Sequence, residues 1–103
     1  MDGFDILISQ INTCKDAILD DQALHLRKAQ VRVQVADFRV TGLTALYKNT
    51  AIESSQVRQF HNNIAMIDNC IRLNYFDFAV QTVLEMEKFL EKCNVKVEPG
   101  DLG

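Results

Sequence analysis

From Asp21 to Lys48 this chain is apolar on two opposite sides at once, and that constrains its fold more than any other stretch. Placed on a helix at about 100° per residue, Leu24, Val31, Val35, Phe38, Ala45 and Leu46 share an arc of roughly 100°. Ala29, Val33, Ala36, Val40, Leu43 and Tyr47 fall nearly opposite. Two polar seams divide the sets: Lys28, Arg32 and Arg39 on one side, and Gln30, Gln34, Asp37, Thr41, Thr44 and Lys48 on the other. An ordinary surface helix buries one apolar stripe, so a helix with two has to be covered twice.

A strand competes locally, because Val31, Val33 and Val35 alternate with Arg32 and Gln34, and valine suits strands. The alternation fails at Asp37, the flanks are rich in helix formers, and no second alternating run of similar length exists to pair with it. The helix is the better reading. Elsewhere, helix breakers are few: one proline and four glycines, of which only Gly42 lies in the interior.

The remaining periodicity predicts three more helices. The first runs from about Gly3 to Leu19 with Phe4, Leu7, Ile8, Ile11, Cys14 and Ile18 along one stripe. Asp20 and Asp21 end it, and either carboxylate can cap the exposed amides of the second helix. Thr50 with Glu53 matches a capping box for a third helix, with Ser54 as a later alternative start. Val57, Phe60, Ile64, Ile67 and Ile71 form its seam at alternating steps of three and four, and Ile52, Met66, Cys70 and Leu73 suggest a second covered side. Asn74 breaks that helix and Tyr75 opens a fourth, whose inward stripe is Phe76, Ala79, Val80, Val83, Met86 and Leu90, with Tyr75, Phe78, Phe89 and Cys93 flanking.

The run Arg72–Met86, RLNYFDFAVQTVLEM, resembles the inter-helix turn of tetratricopeptide-type hairpins. The resemblance covers this one turn, with no second copy at a spacing of about 34 residues, so what it implies is an αα-hairpin and not a repeat array. Residues 1–94 read as one helical domain and residues 95–103, with Pro99 and Gly100, as a C-terminal tail in which Val95 and Val97 pack briefly. The expected fold is all-α: a small bundle of four main helices with a long central second helix, self-associating.

Charge and chemistry narrow the function more by exclusion than by motif. A net charge of −3 argues against a general binder of nucleic acid or anionic membrane. The charge is uneven, however, with five bases and one acid between residues 24 and 48. The odd set Cys14, Cys70 and Cys93 has no metal-binding spacing with His25 or His61 and reads as buried free thiols in a reducing compartment, cytoplasmic or nuclear. No signal peptide, membrane span, phosphate loop or hydrolase motif is present. The two histidines and the amides Gln56, Gln59, Asn62, Asn63 and Asn69 read as structural or solvated, and no catalytic residue, metal, cofactor or small-molecule substrate is inferred.

The expected function is therefore that of a non-enzymatic protein–protein interaction module, a small adaptor, regulator or chaperone that acts through helix packing on a protein partner or on itself as a homodimer. Its candidate contact residues are the aromatics Phe38, Tyr47, Tyr75, Phe78 and Phe89. The alternative is a nucleic-acid-binding dimer using Lys28, Arg32 and Arg39.

Overall fold

The turn residues of this chain divide it where side chains and backbone can satisfy the exposed ends of helices. The computed structural model describes residues 3–95 and contains α1 (Gly3–Asp16), α2 (Asp21–Lys48), α3 (Ser54–Arg72) and α4 (Phe76–Lys92). Of the two carboxylates that could cap α2, Asp20 does so, its Oδ1 accepting from the Ala23 amide at 3.1 Å. The α3 cap lies three residues later than the Thr50–Glu53 reading: Glu53 is the N-cap, and its amide donates to Gln56 Oε1 at 2.9 Å. Thr50 instead sits in the α2–α3 connection.

Two asparagines stop helices by the same device. Asn74 and Asn94 both adopt left-handed backbone, φ 65° and 56°. Each lets the following amide reach back five residues, Tyr75 to the Cys70 carbonyl at 2.7 Å and Val95 to the Leu90 carbonyl at 3.0 Å. That is the Schellman arrangement, with asparagine in the place glycine more often fills. It satisfies carbonyls that the end of a helix leaves unpaired.

Short connections make consecutive helices antiparallel neighbours, and α4 returns to pack against α1. The four form a ring in which α2 packs on α1 and α3 while α4 stands diagonally across. The molecule's long dimension of 46 Å is close to the length of α2 itself, whose 28 residues span about 42 Å. One core fills the ring. Leu7, Ile11, Val31, Leu46, Phe60, Ile67, Ile71, Val83, Met86 and Leu90 are among its largest fully buried side chains.

The stripes read from sequence for α3 and α4 point inward, with Val57 and Val80 half-buried at their margins. In α1 the stripe holds to Cys14 and then fails, because the helix ends at Asp16, earlier than Leu19; Ala17 takes the buried place and Ile18 turns out to solvent. The second side expected for α3 is covered only in part, since Cys70 is buried while Met66 and Leu73 are exposed. Val95, expected in the tail, is buried against the core; Val97 and the rest of that tail lie outside the described residues.

Candidate interaction surface on the outer face of α2

Of the two apolar faces of α2, the structure buries one. Leu24, Val31, Val35, Phe38, Ala45 and Leu46 are all in the core, joined by Thr41, whose hydroxyl donates to the Asp37 carbonyl at 2.9 Å, and by Gly42. The opposite set is left outside: Val33 is 59% exposed, Val40 50% and Tyr47 69%, with Ala29 and Ala36 also exposed and Leu43 half-buried. Within the chain, α2 is therefore covered once. A helix at a corner of the ring has neighbours on two sides, and the face opposite the core meets neither.

This outer face is more regular than the sequence reading recognised. Leu26, 60% exposed, belongs to it, and Leu26, Ala29, Val33, Ala36, Val40, Leu43 and Tyr47 are spaced 3, 4, 3, 4, 3 and 4. Those steps are the a and d positions of three consecutive heptads, and every one of them is apolar. The seam is about 33 Å long at 1.5 Å per residue. The missed signal was present: the spacing of seven from Leu26 through Val33 and Val40 to Tyr47 can be counted directly.

A shallow groove of about 710 Å³ continues the seam toward α3. Val33 and Ala36 stand on one wall, Ile64 and Ala65 on the other, with Arg39 and His61 also lining it. The flank of α2 nearest α3 carries the basic residues. Arg32 holds Asp68 of α3, Nε to Oδ1 at 2.9 Å and Nη2 to Oδ2 at 3.4 Å. Lys28 Nζ donates to the Arg72 carbonyl at 2.9 Å, placing a cation at the negative end of α3. On the other flank Arg27 Nη1 donates to the Thr13 carbonyl at 2.7 Å near the end of α1. Two of the three basic residues singled out in the sequence thus clasp α2 to α3, and Arg39 has no polar partner among the described residues.

The five aromatic candidates are not brought together. Phe38 is in the core, its ring 5.1 Å from that of Phe4, so it presents no outer surface. Phe89 is half-buried against the core. Tyr47 belongs to the seam. Tyr75 and Phe78 are exposed and meet edge to face at 6.5 Å, at the end of the bundle where the α1–α2 and α3–α4 turns lie side by side. The Lys15–Asp77 ion pair, 2.7 Å across α1 and α4, marks that end. Exposed Ile18, Leu19 and Leu73 lie on the same two turns.

The thiols are free and buried. Burial pushes Cys14 and Cys93 above the usual thiol range, the former opposed in part by Lys28 and Arg27. Among the described residues no group of three histidine, cysteine or acidic side chains is placed to hold a metal ion, and no helix is long and apolar enough to cross a membrane. The fold and surface define a small all-α bundle with one uncovered heptad seam. No protein-family model matches the sequence, no curated protein is significantly similar to it, and no solved structure matches its fold.

Proposed function

We propose that this chain is a protein–protein interaction module that works by packing the outer face of α2 against another helix. The observation that carries the reading is the uninterrupted heptad pattern of a face that is exposed at every position but the half-buried Leu43. A solvated face gains nothing from apolar residues at every third and fourth position, whereas a packed one requires them. The adjoining groove between α2 and α3 widens the surface available to a partner helix. Three free, buried thiols suit work in a reducing compartment, the cytoplasm or nucleus.

The nucleic-acid alternative draws less support from the geometry. Phosphate binding by Lys28 would compete with its contact to the Arg72 carbonyl, and Asp68 already offsets the charge of Arg32. The test compares the wild-type chain with the double variant Val33→Glu, Val40→Glu, both immobilised and exposed to the proteins of a cell extract and to added free chain. A protein retained by the wild type and lost from the variant is the expected result. Identical retention on both would sink the reading.

A further inference from the structure

Resting on that reading of the α2 seam, we infer that its occupant is a second copy of this chain, with the two α2 helices side by side, parallel and in register. The inference comes from what flanks the seam. With Leu26, Val33, Val40 and Tyr47 at a and Ala29, Ala36 and Leu43 at d, the g positions are His25, Arg32, Arg39 and Leu46, the last buried in the core, and the e positions are Gln30, Asp37 and Thr44. One flank is therefore basic, and the other is neutral or acidic.

That asymmetry selects the orientation. In a parallel pair each g residue faces the e residue five positions later on the partner helix. Arg32 then faces Asp37 of the second copy, Arg39 faces Thr44, and His25 faces Gln30, all twice over by symmetry. An antiparallel pair would set g against g, aligning arginines with arginines, and like charges in such positions are disfavoured. Arg32 is equipped for the parallel arrangement: Nε and Nη2 are turned to Asp68, leaving the Nη1 edge of the guanidinium for a second carboxylate. Valine at two of the a positions favours a two-stranded assembly, and alanine at two of the d positions lets the helix axes approach closely. The core of each copy lies on the far side of its α2 helix from the seam.

Mass in solution and cross-linking test this together. Light scattering on a sizing column across a concentration series should show the mass rise from 11.7 kDa toward twice that value. Val33→Glu, Val40→Glu should stay at 11.7 kDa with an unchanged circular dichroism spectrum. Gln22 occupies the d position one heptad before Ala29 and is exposed. Under mild oxidation Gln22→Cys should form disulfide-linked dimers, while a mixture of Gln22→Cys and Tyr47→Cys chains should give homodimeric links and no mixed ones. The wild type, with its cysteines buried, is the control. Mixed links between positions 22 and 47 would overturn the parallel orientation and leave the seam as the interface. A monomer at every concentration would overturn the second copy, leaving the partner comparison to judge the seam. A dimer unaffected by both glutamates would overturn both.

Discussion

The ring of Phe60 lies against the backbone of Gly42, so that a Cβ placed on this glycine would overlap the ring. Helix propensity alone predicts that Gly42→Ala stabilises α2 by about 1 kcal/mol. Contact with a fully buried phenylalanine reverses the sign. Overpacking a core of this density costs about 1–3 kcal/mol, and Gly42→Ala should lower the unfolding free energy by that amount in a urea titration. Combining it with Phe60→Leu should recover part of the loss, because the smaller side chain makes room. Additive losses would mean that the two residues do not constrain each other.

Asp20 carries the start of α2 through a single carboxylate oxygen on the Ala23 amide. Asp20→Ala should cost about 1 kcal/mol, and Asp20→Ser should retain most of the stability. Equal losses from the two variants in thermal unfolding would assign the effect to charge and not to capping.

Asn74 closes α3 in a left-handed conformation that alanine disfavours by roughly 1–2 kcal/mol. Asn74→Ala should therefore destabilise by about that much, and Asn74→Gly should change stability by less than about 0.5 kcal/mol, glycine having no Cβ to strain there. The same ranking is expected at Asn94. Chemical denaturation of the four variants checks both positions.

Buried thiols should make the fold sensitive to alkali. Cys14 and Cys93 bind their protons more tightly folded than unfolded, where a thiol has its ordinary value of 9.0. Their contribution is complete below about pH 9 and declines as pH rises beyond it, since the unfolded chain then loses protons that the folded chain keeps. Cys14→Ala should be less stable than wild type at pH 8 because of the cavity it leaves, yet lose less between pH 8 and pH 10. A parallel pH dependence in the two proteins would place the titrating group elsewhere.

Charges introduced on the α2 seam should barely alter the stability of the isolated bundle. Val33 and Val40 contribute little to the core, being 59% and 50% exposed, and surface substitutions of this kind stay within about 0.5 kcal/mol each. Unfolding of Val33→Glu, Val40→Glu at concentrations low enough to exclude association should match wild type to about 1 kcal/mol. A large loss would show that the face is part of the fold.

Much of the architecture was written in local periodicity. The inward residues of α3 and α4, most of those in α1, and a cap on α2 from the Asp20–Asp21 pair follow from spacing and side-chain chemistry within a few residues, which a sequence displays directly. The limits of helices were less legible. Whether Thr50 or Glu53 caps α3, or whether α1 continues to Leu19, depends on where the chain must turn to meet its neighbour. Tertiary packing alone decided which apolar face of α2 lies inside. The two faces have similar composition and nearly cancel in the amphipathic pattern of the helix. The choice came from α1 and α3 closing on the same side of α2, where Gly42 admits Phe60 and Phe38 meets Phe4. Burial is a property of pairs of elements far apart in the chain, so valines of one helix form a core at Val31 and Val35 and an open seam at Val33 and Val40.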